Sequence, residues 1–179
     1  MKNLLKSILT ISALSSLVVA PVLLSPDQAS AQTKKGTDAS YVGAGIAAGV
    51  TSGGQETNDD ATFGGNVTGR LKLGNTPFSA RGNVLWSDQT SAIIPEVSLD
   101  VPIANKTNAY LTGGYSFVEK DGSATPIGNK DAVVVGAGVE SEVAKNFLVY
   151  TNTKVGISAY QNSDTPAVSI NAGIGYSFK

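Results

Sequence analysis

The side chains of this sequence that could do chemistry are charged residues that recur at alternate positions of short segments. Glu140 and Glu142, for example, lie two residues apart, and paired carboxylates can perform general acid–base catalysis. The sequence contains no His and no Cys, so the commonest general base, the commonest metal ligand and every thiolate nucleophile are missing. We therefore expect no enzymatic activity, no catalytic residue, no bound metal and no cofactor.

Apolar and polar residues alternate with a period of two, which is typical of β-strands and not of helices. The alternation is clearest near the C-terminus and can be traced in seven further segments upstream, which predicts eight strands. In the C-terminal segment Val168, Ile170, Ala172, Ile174, Tyr176 and Phe178 share one face, and Ser169, Asn171, Gly173, Gly175 and Ser177 share the other.

The charged residues of the predicted strands all fall on the polar face. A charge that faces lipid near the bilayer midplane costs about 2–4 kcal/mol, so a membrane barrel would hold these residues in its lumen. A soluble barrel such as a lipocalin would show the reverse pattern, with apolar residues inside and charges outside. The predicted lumen charges are Arg70, Lys72, Arg81, Glu96, Asp100, Glu140, Glu142 and Lys154.

The connections between the predicted strands alternate in length, and the aromatic residues sort by depth. Outer-membrane barrels have short periplasmic turns and longer extracellular loops, and aromatic girdles mark the two lipid interfaces. The short links are 74–77, 104–107 and 144–146, and the longer ones are 51–60, 87–91, 119–130 and 161–165. The predicted girdles are Phe63, Trp86, Tyr115 and Phe117 at the loop end, and Phe78, Phe147, Tyr176 and Phe178 at the turn end.

The N-terminus has the features of a secretory signal peptide. A basic start is followed by an apolar run from Ile8 to Leu24, and Ala29-Ser30-Ala31 predicts cleavage after Ala31. No later run is long and apolar enough for a transmembrane helix. We thus predict a signal peptide at 1–31, a short periplasmic segment at 32–39, and an all-β domain at 40–179. That domain is predicted to be a closed, eight-stranded, antiparallel up-and-down transmembrane barrel.

The sequence resembles the small eight-stranded outer-membrane barrels of the OmpA-transmembrane-domain, OmpX and opacity type. The resemblance covers residues 40–179 and rests on the strand count, the loop rhythm and the ending 172–178, which is similar to the signal read by the barrel-assembly machinery. It implies a fold and an assembly route through that machinery and periplasmic chaperones, and it implies no activity. Lys179 after Phe178 departs from the usual aromatic ending.

The predicted register places the lumen charges close to one another. We expect Arg81 to lie near Glu96, Ser98 and Asp100, and Glu140 to face Tyr150 with Lys154 one or two rungs away. An eight-stranded barrel is just wide enough for side chains to fill, so mutually neutralising ion pairs that plug the lumen are the favoured interpretation. A small channel lined by the same charges is the alternative, because many inward glycines would leave space.

The net charge of −1 gives no field that would attract nucleic acid, so we expect no nucleic-acid partner. The expected partners are outer-membrane lipid and, during biogenesis, the assembly machinery and chaperones. We expect a monomer with a structural or surface-interaction role, and the sequence identifies no surface ligand. A soluble periplasmic barrel that binds an apolar ligand stays open as a third hypothesis.

Overall fold

The computed structural model describes residues 35–51, 62–161 and 163–178. Its strands pair with their neighbours in chain order, and β8 pairs back to β1, which closes the sheet. The predicted fold class, an all-β closed antiparallel barrel of eight strands, is confirmed. The predicted signal peptide and its cleavage site at Ala31 lie outside the described residues. The strands are β1 Ser40–Gly49, β2 Phe63–Lys72, β3 Phe78–Trp86, β4 Ser91–Ala104, β5 Thr107–Val118, β6 Ala132–Ala144, β7 Phe147–Ile157 and β8 Ala167–Phe178.

Closure and tight turns fix the register of the barrel. The seam between β1 and β8 runs from Ser40 opposite Phe178 to Gly49 opposite Ser169, so neither strand is left with an open edge. The hairpin turns β4–β5 and β6–β7 contain Lys106 and Asn146 with φ of 61° and 64°, the left-handed geometry that short hairpins require. We call the end that holds these turns the turn end, and the opposite end the loop end.

The outer face of the barrel is apolar, and its aromatic residues lie near the two ends. All eight predicted girdle residues are exposed on this face. At the turn end the Phe147 and Tyr176 rings meet edge-on, with centroids 5.7 Å apart. One predicted outward residue is placed differently. Val168 is buried; it lies opposite Val155 on β7, and its backbone N–H donates to the Thr51 hydroxyl.

Tyrosine rings fill the space beside several of the inward glycines. Tyr41, Tyr110 and Tyr150 point inward and are buried. A Cβ added to Gly138 would lie 2.5 Å from Cζ of Tyr110, and one added to Gly43 would lie 2.8 Å from Cε1 of Tyr150. The expectation that these glycines leave open space in the lumen is therefore wrong, since each makes room for a ring from another strand.

The inward and outward glycines should respond differently to an added methyl group. Gly138→Ala should lower the free energy of unfolding by about 1–3 kcal/mol, because the new Cβ overlaps the Tyr110 ring and the Thr151 carbonyl. Gly82→Ala is the matched control, because a Cβ there meets no atom within 4 Å. Urea unfolding of the refolded protein in lipid vesicles measures both. Equal losses in the two variants would contradict this packing.

Candidate functional site

Four charged residues in the turn-end half of the lumen form a closed ring of ion pairs. Arg70 and Arg81 are direct neighbours across β2 and β3, while Asp100 comes from β4 and Glu140 from β6. Arg70 contacts Asp100 at 2.9 Å and Glu140 at 2.7 Å, and Arg81 contacts each of the same carboxylates at 3.0 Å. All four side chains are buried. We call this group the four-charge ring.

Neutral donors and an aromatic face complete the four-charge ring. The Arg70 Nε donates to Ser79 at 3.0 Å, the Arg81 Nε donates to Ser98 at 2.9 Å, and both hydroxyls donate on to Asp100. The Tyr41 hydroxyl donates to Glu140 at 3.0 Å. The Arg81 guanidinium also stacks on the Tyr110 ring, 3.8 Å from its centroid. Buried charges with saturated hydrogen bonding of this kind form a rigid network.

A second ion pair lies in the lumen closer to the loop end. The Lys154 Nζ lies 2.6 Å from both carboxylate oxygens of Glu96, and Glu96 also accepts hydrogen bonds from Asn83 and Thr112. Lys154 and Glu96 come from β7 and β4, so this pair spans the lumen.

Arg81 lies near Ser98 and Asp100 as expected, but Arg81 and Glu96 do not form the ion pair that their register suggests. The two residues are opposite each other in the β3–β4 register, yet Arg81 pairs with Asp100 and Glu140, and Glu96 pairs with Lys154. In a lumen this narrow, a charged side chain can reach an ion-pair partner across the barrel as easily as one on an adjacent strand. The planar guanidinium group of arginine can bind two carboxylates at once. Arg81 does so with Asp100 and Glu140, whereas an ion pair with Glu96 alone would occupy only part of the group.

Two of the eight predicted lumen charges lie at the mouth of the turn end. Lys72 forms an ion pair with the exposed Asp38, and Glu142 accepts a hydrogen bond from the Thr37 hydroxyl. The pKa of Asp38 lies below its ordinary value, chiefly because Lys72 donates a hydrogen bond to its carboxylate. The other six predicted charges lie inside the barrel and are buried.

The turn end of the lumen is covered by the segment that precedes β1. This N-terminal strap, residues 35–39, buries Thr37 and Ala39. The Thr37 carbonyl accepts hydrogen bonds from Asn108 at 2.7 Å and Arg70 at 3.3 Å, and the Ala39 carbonyl accepts one from Arg70 at 3.3 Å. The strap thus completes the hydrogen bonding of a buried arginine. The sequence gives no periodic signal for it, because the strap is not a strand.

The loop end of the lumen is closed by the tip of the β5–β6 loop. Thr125 and Gly128 exchange backbone hydrogen bonds of 2.9 and 3.2 Å, and the tight turn between them carries Ile127, whose exposed fraction is 0%. We call Thr125–Gly128 the apolar plug. Ile127 packs in one buried cluster with the inward residues Ala47, Leu85, Ala92, Ile94 and Val134.

The apolar plug was missed by the sequence interpretation, which treated residues 119–130 as an extracellular loop. A usable signal existed in the strands. Leu85, Ile94 and Val134 are apolar residues on the otherwise polar inward face, and all belong to the cluster around Ile127. Apolar residues that line a lumen need an apolar cover, and the loop supplies it.

The inside of the described barrel contains ion pairs and closely packed side chains. Ser116 carries the one buried side-chain oxygen of the described residues that lacks a hydrogen-bond partner. Within the same residues, no group of three or more metal-ligating side chains could hold an ion. They also include no helix that is long and apolar enough to cross a membrane.

Comparison with known proteins places the fold among small outer-membrane barrels. No protein-family model and no curated protein matches the chain. Solved structures do: Ail, the attachment invasion locus protein of Yersinia pestis, shares 16% identity and a TM-score of 0.57 over 78% of this chain and 98% of its own. OprG from Pseudomonas aeruginosa shares 10% sequence identity with a TM-score of 0.53, over 78% of this chain and 95% of its own. The N-terminal barrel domain of OprF from the same species shares 10% sequence identity with a TM-score of 0.51, over 80% of this chain and 100% of its own. The expected similarity in fold is confirmed.

Because Lys154 and Glu96 form an ion pair, substitutions of the two residues should change the free energy of unfolding non-additively. Lys154→Met should lower the free energy of unfolding by about 3–5 kcal/mol, because it leaves the Glu96 carboxylate buried without its cation. The double variant Lys154→Met/Glu96→Gln should lose less than the single one, since no net charge then remains unpaired. Urea unfolding in lipid vesicles compares them. A double variant whose loss equals the sum of the two single losses would show that the residues do not interact.

Proposed function

We propose that this chain is an integral outer-membrane protein whose barrel is closed to solutes and whose role is structural or is exerted through its loop surface. The observation that carries the proposal is the pairing of the lumen charges. Three cations and three carboxylates are buried inside the described barrel, and each takes part in at least one ion pair. A water-filled path would instead be lined by charges that face the water column.

The outer face supports the membrane location. Its exposed apolar residues form a band between the two aromatic girdles, a pattern that lipid interfaces favour. The solved structures with the same fold include outer-membrane proteins of two species. We propose that the predicted signal peptide directs export, and that chaperones and the barrel-assembly machinery then insert the protein as a monomer.

The closed lumen is supported by three layers that lie one above another. The N-terminal strap covers the turn end, the four-charge ring and the Lys154–Glu96 pair occupy the centre, and the apolar plug fills the loop end. Each layer rests on different physics: backbone hydrogen bonds, ion pairs and apolar packing.

One structural neighbour was solved with a ligand, and its chemistry does not fit this chain. The structure of Ail in complex with the heparin analogue sucrose octasulfate contains a sulfated polyanion. The described loop-end connections of the present barrel hold five carboxylates against two lysines, so their net charge is −3. Such a surface repels a polyanion. The loop surface is therefore better suited to a neutral or cationic partner.

Planar-bilayer recording tests the closed lumen. The protein is refolded into vesicles, and a mobility shift between unboiled and boiled samples shows that the barrel has formed. We expect no channel events from the wild type. Ile127→Gly should also be silent, because the four-charge ring and the Lys154–Glu96 pair still fill the lumen beneath the plug. A porin recorded in the same bilayers is the positive control.

Two outcomes would overturn the proposal. Reproducible wild-type conductance that changes on Arg81→Ala or Glu96→Ala would establish a charged pore, which is the alternative function. Refolding to the heat-modifiable form in buffer without lipid or detergent would instead favour a soluble periplasmic barrel.

A further inference from the structure

The fixed charges of the described barrel are sorted along its axis. The lumen is neutral, with three cations and three carboxylates. The described loop-end connections are acidic, and the sequence between β1 and β2 adds three carboxylates and no lysine or arginine. The described charges of these connections are Asp88, Glu119, Asp121, Asp131 and Asp164 against Lys120 and Lys130.

The turn end has the opposite sign. Among the described residues of this end, four lysines outnumber two carboxylates, and both of those carboxylates already have partners. Asp38 pairs with Lys72, and Glu142 accepts a hydrogen bond from Thr37. The remaining three lysines are exposed, and no carboxylate of the described residues lies within 4.0 Å of their ammonium groups. We call these residues the lysine rim: Lys35, Lys106 and Lys145.

The backbone holds the lysine rim at the level of the turns. The Lys106 N–H donates to the Lys35 carbonyl at 2.9 Å, which joins the strap to the β4–β5 turn. The Lys106 carbonyl accepts from the Glu142 N–H at 3.0 Å, which joins that turn to β6. Lys145 lies in the β6–β7 turn, two residues before the girdle residue Phe147. Aromatic girdles mark the depth of lipid headgroups, and a lysine side chain can extend from that depth into them.

We propose that the lysine rim binds the headgroups of anionic phospholipids in the leaflet at the turn end of the barrel. The inference rests on the proposed membrane insertion. Ammonium groups that have no carboxylate within 4.0 Å, held at the level of the turns, are complementary to phosphodiester groups. The acidic loop end has the wrong sign for the same lipids, so the attraction is confined to one leaflet. A wall polymer is the less suitable partner, because Lys145 lies two residues from the lipid-facing Phe147.

Two tryptophan reporters can measure lipid selection separately at each end. Trp86 is the single Trp of the sequence and lies in the loop-end girdle, and Phe147→Trp in a Trp86→Phe background moves the reporter next to Lys145. Each protein is refolded into vesicles of equal parts phosphatidylcholine and phosphatidylglycerol, with bromine on the acyl chains of one lipid at a time. The ratio of quenching by the two brominated lipids reports the lipid composition around the reporter.

At the turn-end reporter we expect brominated phosphatidylglycerol to associate more strongly than brominated phosphatidylcholine, by roughly five-fold for one lysine–headgroup contact. The preference should vanish in about 1 M salt, where the screening length is short. It should also vanish in Lys35→Gln/Lys106→Gln/Lys145→Gln. The matched control Lys120→Gln/Lys130→Gln, altered at the loop end, should keep it. The loop-end reporter should show no preference for phosphatidylglycerol.

Several results would overturn the inference. Equal quenching by the two lipids at the turn end is one, and a preference that survives the triple substitution is another. Co-sedimentation with peptidoglycan that depends on the same lysines, without lipid preference, would assign the rim to the wall. Absence of quenching at both reporters would instead refute membrane insertion itself, and thereby the proposed function.

Discussion

The packing of the lumen depends on the need to neutralise two arginines that lie side by side inside the narrow barrel. Arg70 and Arg81 face each other across β2 and β3, where like charges repel. Asp100 and Glu140, supplied by two other strands, each bridge both guanidinium groups. A buried charge whose partner is removed is strongly destabilising, so the register of four strands has to be maintained together.

The rest of the interior follows from that requirement. Arg70 has hydrogen bonds left to make after its ion pairs, and the N-terminal strap provides carbonyl oxygens for them. Inward glycines let the rings of Tyr110 and Tyr150 fill the space beside the charges. Towards the loop end the inward residues become apolar, and Ile127 covers them. The residues that fill the lumen thus change from polar at the turn end to apolar at the loop end, while the outer face is apolar along its whole length.

The sequence predicted what a period of two can encode. Strand number, the inward placement of Arg81 or Lys154, and the outward placement of Phe147 or Tyr176 all follow from alternation. It failed where the partner lies across the lumen. Register correctly placed Arg81 near Asp100, but Arg81 also pairs with Glu140 across the lumen, and Glu96 pairs with Lys154. The strap and the apolar plug were missed because irregular segments carry no period, although the inward Val134 hinted at the plug.

Solvent exchange at the arginine guanidinium hydrogens tests the closed, charge-paired lumen most directly. The protein can be labelled with ¹⁵N at arginine, refolded in lipid and transferred to deuterated buffer for magnetic resonance. Slow exchange at Arg70 and Arg81, lost in the unfolded protein, is the predicted result. Rapid exchange at both residues in a verified, folded barrel would show that water reaches the four-charge ring, and would contradict the account.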